Sequence, residues 1–156
     1  DHFHKFLTHE SKTYESGQSA KIAKLKVNGK YYKIGMTICY DLRFPHLFRD
    51  LALNGAELIT VPSVFMHITG KDHWHSLLKA RAIETGCYIV APAQYGHYFN
   101  KRKSYGHSLI ISPWGKILKD AKTEKNIIIA DIDKCQVKIA RSKIPSLFIN
   151  KKYKID

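Results

Sequence analysis

The sequence predicts an α/β protein built around a mixed β-sheet. Strand-like and helix-like segments alternate along the first part of the chain, and a run of strands follows, as expected of a sheet with parallel and antiparallel pairs. The strands are short and apolar with little alternation, which favours burial on both faces. Helices covering one face would leave the other in need of a partner. With 156 residues, 44% of them hydrophobic, the chain is long enough for one domain with a sizeable core.

Turn-forming residues delimit the first predicted elements. Asn28-Gly29 separates two strand-like runs and is a strong signal for a two-residue hairpin turn. Pro45 in a first helical turn and Gly55 after the last one bound a helix. The elements predicted here are a polar loop over 1–19, strands over 21–27 and 31–38, a helix over 45–54 and a strand over 57–61.

Helix caps delimit the later elements. A polar N-cap at Asp72 and a glycine C-cap at Gly86 bound a second helix. Asp133 caps a third helix, and Pro113-Trp114-Gly115 makes a turn between two strands. The elements predicted here are a helix over 72–85, a strand over 87–91, strands over 108–112, 115–118 and 126–132, and a helix over 133–142.

Charge and cysteine content narrow the class of protein. The formal net charge is +13, but the lysines are scattered and no nucleic-acid-binding motif accompanies them, so a solvated basic surface is favoured over a nucleic-acid footprint. The apolar runs are strand-length, which predicts no membrane span. Cys39, Cys87 and Cys135 lie far apart and the nine histidines lack a ligand spacing. We therefore predict no disulfide framework, no metal site, no cofactor and a cytoplasmic location.

Cys39 is the first candidate for chemistry. It ends the second predicted strand, and the chain then turns into the helix at Pro45. A thiol on such a turn faces a cleft, with a backbone N–H beside it that can stabilise an oxyanion. A helix N-terminus nearby would favour the thiolate. On position alone a buried, inert cysteine is the alternative, and it is the favoured interpretation for Cys87 and Cys135.

The residues around Cys39 resemble the nucleophile motif of the nitrilase superfamily, the carbon–nitrogen hydrolases. The motif is GMTICYDLRFP at 35–45, and further family-like motifs follow in order, so that the resemblance covers about residues 8–153. These motifs are NGAELI at 54–59, PSVF at 62–65, HW at 73–74, ARAIE at 80–84, YGHS at 105–108, PWG at 113–115, IADID at 129–133 and Arg141 with Ile144-Pro145. The resemblance is to the Nit-type branch of ω-amidases and deaminated-glutathione amidases.

The resemblance implies an αββα sandwich and a Glu–Lys–Cys triad that hydrolyses a small linear amide through a cysteine thioester. Carried over to this sequence, Cys39 is the nucleophile, the Tyr40 N–H is an oxyanion donor and Glu10 is a second glutamate near the site. Arg43 matches a position that meets a substrate carboxylate, which suits its guanidinium fork. Phe65 begins a loop that lines the pocket.

The chain departs from the family pattern ahead of Glu10. The family's base Glu and its K-x-H-L-F lysine motif are not found, and Lys5 is too close to Glu10 to stand for that lysine. We therefore expect residues 1–156 to be a partial carbon–nitrogen hydrolase domain, truncated at its N-terminal half. General-base help is commonly worth roughly 10²–10⁴ in rate, so the chain alone should be nearly inactive.

Three interpretations of the function stay open. The first is a hydrolase of non-peptide C–N bonds, which a separately encoded N-terminal half could complete. The second is a non-catalytic remnant or an interaction subunit that keeps the fold and not the reaction. The third and least favoured is a basic nucleic-acid-binding module, which predicts retention on DNA or RNA that depends steeply on salt. Family relatives usually pair, so the resemblance also implies a homo-oligomer.

Overall fold

A computed structural model describes residues 15–98, 102–149, 151–152 and 154–155. They form a mixed sheet, a two-stranded ribbon, three α-helices and two short 3-10 helices. In chain order these are β1 (Lys21–Val27), β2 (Lys30–Met36), a 3-10 helix at Cys39–Arg43, α1 (Pro45–Leu53), β3 (Leu58–Thr60), α2 (His67–Thr85), β4 (Tyr88–Ala91), β5 (Tyr95–Tyr98), β6 (Arg102–Tyr105), β7 (Leu109–Ile111), β8 (Ile117–Asp120), α3 (Lys134–Lys143) and a second 3-10 helix at Pro145–Phe148.

The main sheet has six strands in the order β1-β2-β3-β4-β7-β8. The pairs β2–β3 and β3–β4 are parallel, and the other pairs are antiparallel. The predicted α/β fold with a mixed sheet is therefore confirmed. The hairpin turn between β1 and β2 lies at Asn28 and Gly29, whose φ angles of 47° and 75° are the positive values that a two-residue hairpin turn requires.

The core lies between one face of the sheet and helices α1 and α2. Gly35 in β2 makes the closest approach, because a Cβ there would lie 3.2 Å from side-chain atoms of Leu51 in α1 and Ile59 in β3. Its lack of a side chain lets α1 settle directly on the sheet. The buried side chains that the two layers share include Phe48, Leu51, Ile59, Trp74, Leu78, Ile89 and Ile111.

The opposite face of the sheet is covered unevenly: Tyr88 in β4 and Ile110 in β7 are buried there, as burial on both faces predicts, but the part over β2 and β3 is less covered. Successive side chains in a strand point to opposite faces. Met36, which follows the buried Gly35, is 54% exposed, and Ile34 and Leu58 are only half-buried. This apolar, half-covered surface matches the expectation that the face away from the helices needs a partner.

Three predicted elements differ from the structure. Residues 126–132 are not a strand; Ile127 and Ile129 are 85% and 75% exposed, and among the described residues no neighbouring strand pairs with them. Helix α2 begins at His67 and not at Asp72, because its extra first turn packs Gly70 against Tyr105. The ribbon β5–β6 was not predicted, since its polar sequence carries no apolar alternation.

The helices of the described residues lack the combined length and apolar character that crossing a membrane requires.

Candidate active site

The carboxyl ends of the parallel strands build the candidate site. The Thr37 N–H, directly after β2, donates to the Thr60 carbonyl oxygen at 3.1 Å, and the Cys39 N–H donates to the Pro62 carbonyl oxygen at 2.9 Å. The loop after β3 is tied in the same way to the loop after β4 through the Ser63 N–H and the Pro92 carbonyl oxygen, at 2.9 Å. Cys39 therefore lies at the edge where ligands bind in open α/β sheets.

Cys39 occupies a sharp, constrained turn. Its φ angle is 46°, in the left-handed region that residues with a Cβ seldom adopt, at a cost of order 1–3 kcal/mol. The Asp41 carboxylate braces the turn by accepting from the Ile38 N–H at 2.9 Å, and the Asp41 N–H donates to the Ile38 carbonyl oxygen at 3.0 Å. Cys39 as a whole is half-buried on this turn.

The turn leads into α1 less directly than the sequence predicts. Cys39 is the first residue of the 3-10 helix Cys39–Arg43, and α1 begins only at Pro45. The thiol therefore lies at the start of a short 3-10 helix and not at the N-terminus of α1. This changes which backbone groups surround it, because the first N–H groups of the 3-10 helix now adjoin Cys39.

Arg43 contacts the other predicted binding residues beside the turn. The centre of its guanidinium group lies 5.6 Å from the centroid of the Tyr40 ring and 5.3 Å from that of the Phe65 ring. Its Nη1 lies 3.3 Å from Nδ1 of His73, which must be the acceptor because arginine only donates. The structure thus brings Tyr40, Arg43 and Phe65 together. Glu10 lies outside the described residues.

His73 is a functional candidate that the sequence interpretation did not select. The two residues of the HW motif differ in burial. Trp74 is buried, with its ring centroid 4.8 Å from that of Phe65, whereas His73 is exposed and contacts Arg43. The HW motif was the available signal, but only the helix orientation shows which of the two faces the site.

Arg81 of α2 holds the turn from below. Its Nε and Nη2 both donate to the Leu42 carbonyl oxygen, at 3.1 and 2.8 Å, and its Nη1 donates to Oε1 of Glu84 at 3.0 Å. The guanidinium group also lies over the Phe48 ring. Arg81 and Glu84 thus form an ion pair within α2. Arg81 itself emerges as a positioning residue for the 3-10 helix.

The other two cysteines occupy different environments from Cys39. Cys87 is buried, its thiol donates to the Ala56 carbonyl oxygen at 3.2 Å, and Arg141 Nη2 lies 3.1 Å from its sulfur. Burial raises the pKa of the Cys87 thiol, which outweighs the nearby Arg141 charge. Cys135 is exposed on α3. The predicted burial is therefore confirmed for Cys87 and wrong for Cys135, because α3 leaves the Cys135 position exposed.

Known proteins share both the sequence and the fold. The family profile of the carbon-nitrogen hydrolases matches residues 1–141. The deaminated glutathione amidase of Synechocystis sp. is 45% identical over 138 residues, which are 88% of this chain and 50% of that protein.

Two solved structures of similar proteins share the fold of this chain. Saccharomyces cerevisiae Nit3, a member of branch 10 of the nitrilase superfamily, superposes with a TM-score of 0.78 and is 34% identical, covering 88% of this chain and 49% of Nit3. The C. elegans NitFhit protein gives a TM-score of 0.73 and 41% identity, covering 76% of this chain and 29% of that protein. The chain thus spans about half the length of the amidase and of Nit3. It belongs to the carbon–nitrogen hydrolases of the nitrilase superfamily, in the Nit-type branch.

Proposed function

We propose that this chain supplies the nucleophile of a Nit-type amidase that acts on a small linear amide. One observation carries the proposal: Cys39 sits half-buried on a left-handed turn at the carboxyl edge of the parallel strands, beside Arg43, Tyr40 and Phe65. A left-handed conformation in a residue with a Cβ persists only where its surroundings enforce it, and such residues cluster at functional sites.

The proposed reaction proceeds through a thioester. The thiol proton of Cys39 passes to a base, and Sγ forms a bond to the amide carbon. The base returns this proton to the nitrogen, the C–N bond breaks and ammonia leaves as the thioester forms. Water then gives a proton to the base and attacks the thioester carbon. The C–S bond breaks and the base returns that proton to Sγ, which releases the acid and restores the thiol. In this proposal the base is the glutamate of the family triad, and the triad lysine is the cation beside the thiol. Both come from a further segment, which is encoded either with this chain or separately.

The Tyr40 N–H is the proposed oxyanion donor. The first N–H groups of a helix have no partner within it, and Tyr40 is the second residue of the 3-10 helix. The preceding N–H, that of Cys39, already donates to the Pro62 carbonyl oxygen. This leaves the Tyr40 N–H as the adjoining backbone donor for the charge that develops on the amide oxygen.

Arg43 is proposed to select an amide that carries a carboxylate. Its guanidinium group is held by Tyr40, Phe65 and His73, and among the described residues no carboxylate pairs with it. A guanidinium fork can bind a carboxylate with two parallel hydrogen bonds. The substrate class that this proposal implies is a linear ω-amide, whose amide end would meet Cys39 and whose carboxylate end would meet Arg43.

The sheet face that contains Met36 supports a proposal about assembly. Its half-covered apolar surface would be buried by a second layer, which would give the αββα sandwich that the family resemblance implies. A separately encoded half would supply that layer, and a homo-oligomer would enclose it. The same surface also favours the second candidate function, an interaction subunit without catalysis.

A cytoplasmic location is supported by three cysteines that are all free.

Alkylation of the 156-residue chain tests the nucleophile. The chain is treated with limiting iodoacetamide at neutral pH, and peptide masses give the rate at each cysteine. We expect Cys39 to react faster than the more exposed Cys135, and Cys87 to stay unmodified. Equal rates at Cys39 and Cys135 would contradict an activated thiol.

Turnover tests the two candidate functions. Ammonia release from a short dicarboxylic-acid monoamide should be nearly undetectable for the chain alone. Release that Cys39→Ala abolishes and Cys135→Ala leaves intact would show that the chain is an enzyme without a further segment, and would remove the interaction-subunit alternative.

A further inference from the structure

Two histidines and an aspartate from three separate elements converge outside the Cys39 turn. His75 belongs to α2, His107 lies between β6 and β7, and Asp120 ends β8. The distance from His107 Nδ1 to either Asp120 oxygen is 3.1 Å, and that from His75 Nε2 to Asp120 Oδ2 is 3.5 Å. The three donor atoms all lie within 4.8 Å of one another.

We propose that this cluster binds a divalent transition metal ion, with Zn²⁺ as the best fit. Two imidazoles and one carboxylate, with a fourth position left to water, form a recurrent three-residue ligand set for zinc. Bonds of about 2.0–2.2 Å in a tetrahedral site place neighbouring ligand atoms roughly 3.3–3.5 Å apart. The 3.1 and 3.5 Å distances from the Asp120 carboxylate to the two imidazoles bracket that spacing, and the two imidazole nitrogens lie within 4.8 Å of each other, so a rotation of the His75 or His107 ring would complete the site.

The backbone around two of the ligands is already fixed. The His107 N–H donates to the Lys122 carbonyl oxygen at 2.7 Å, and the His107 carbonyl oxygen accepts from Trp74 Nε1 at 2.8 Å. The His107 ring stacks on Tyr105 with a centroid distance of 4.5 Å. The Lys122 N–H donates to Asp120 Oδ1 at 2.7 Å, which orients that carboxylate. Such outer contacts are what hold ligands in position in metal sites.

The cluster is accessible to an ion. The side chains of His75, His107 and Asp120 are 28%, 19% and 24% exposed, so the ion can enter without unfolding. Hydrogen bonding alone ties His75 weakly, since 3.5 Å is at the outer limit of a hydrogen bond. A shared metal ion would link α2 to the β7–β8 hairpin far more firmly than that contact does.

The test must separate this cluster from the other histidines of the chain. The sequence has nine, and His2, His4 and His9 precede the described residues. The full chain is therefore prepared without an affinity tag and with these three changed to Gln. In that background, Asp120→Asn and His75→Gln each remove one ligand, and His97→Gln removes an exposed histidine elsewhere as the matched control.

Zinc affinity is measured by competition with a chromophoric chelator, and Co²⁺ substitution gives a visible spectrum. We expect one Zn²⁺ per chain, four-coordinate Co²⁺ bands, and a loss of affinity of at least about tenfold in both ligand variants but not in the control. Circular dichroism shows whether each variant folds. If Asp120→Asn unfolds, the zinc affinity of His75→Gln decides the question, because the His75 side chain is partly exposed. Failure to bind zinc, or equal affinity in the ligand variants and His97→Gln, overturns the proposal.

Discussion

Arg81 donates two hydrogen bonds from its buried guanidinium group to a single acceptor, the Leu42 carbonyl oxygen, at 3.1 and 2.8 Å. Leu42 belongs to the same 3-10 helix as Cys39. The long helix α2 thereby fixes the short helix that carries the thiol. Through this contact the turn at Cys39 is anchored to the buried side of α2.

Replacing Arg81 should therefore destabilise the fold. Arg81→Met removes both hydrogen bonds and leaves the Leu42 carbonyl oxygen unpaired, and hydrogen bonds to charged groups are typically worth about 1.5–3 kcal/mol. We expect a loss of that order in urea unfolding. Glu84→Gln, which affects only the outer ion pair, should change stability by less than about 1 kcal/mol. Equal effects of the two changes would show that the Leu42 contact is unimportant.

Gly70 offers a test of close packing between α2 and the β5–β6 ribbon. Alanine normally stabilises a helix by about 1 kcal/mol over glycine. A Cβ at Gly70 would instead lie 2.4 Å from Cγ of Tyr105, and overpacking typically costs about 1–3 kcal/mol. We expect Gly70→Ala to lower the melting temperature. Ser76→Ala, on an exposed position of the same helix, should leave it unchanged or higher; a stabilising Gly70→Ala would refute the contact.

Carboxylate selection by Arg43 can be tested without turnover. A linear ω-iodo carboxylate carries its charge at the end away from the reacting carbon and the matching ω-iodo amide carries none, so the ratio of their alkylation rates at Cys39 reports attraction by Arg43. We expect Arg43→Gln to lower that ratio by about tenfold, the size of a lost charge-assisted hydrogen bond. Arg49→Gln, in the neighbouring helix α1, should preserve it. An unchanged ratio in Arg43→Gln would remove Arg43 from the proposed binding site.

Cys87 predicts a stability change at alkaline pH. Its folded-state pKa is raised by burial, so the folded protein holds the thiol proton more tightly than the unfolded chain does. The resulting stabilisation is complete below the unfolded thiol pKa, about 8.5, and is lost as the pH rises above it. Urea unfolding between pH 7 and about 9.5 should show this decline. Cys87→Ala should flatten the decline and Cys135→Ala should keep it; the reverse would contradict the assignment.

Local signals in the sequence were sufficient to predict turns and helix ends wherever a few neighbouring residues determine the backbone conformation. The hairpin at Asn28-Gly29, the start of α1 at Pro45, the left-handed C-cap at Gly86 and the side-chain cap at Asp133 all occur as predicted. Each depends on residues within one turn of the chain. The strand predicted over 126–132 failed for the opposite reason, because an apolar run forms a strand only when another strand lies beside it.

The candidate site was predictable in part for the same reason. The strand-to-turn position of Cys39 is local, and the motif around it was recognisable. The contact between Arg43 and His73 joins residues 30 positions apart, and the His75–Asp120 contact joins residues 45 apart. No spacing rule along the chain reveals such pairs, because the packing of α2 on the sheet brings them together.

The position of β1 at the edge of the sheet has a consequence for solubility during storage. Its outer hydrogen-bonding groups face no other strand in the described part of the chain, and the strand contains three lysines, Lys21, Lys24 and Lys26. Charged side chains on a free edge oppose stacking of identical strands. Since salt screens such repulsion within about 10 Å at 0.1 M ionic strength, concentrated solutions of this protein should aggregate least at low ionic strength.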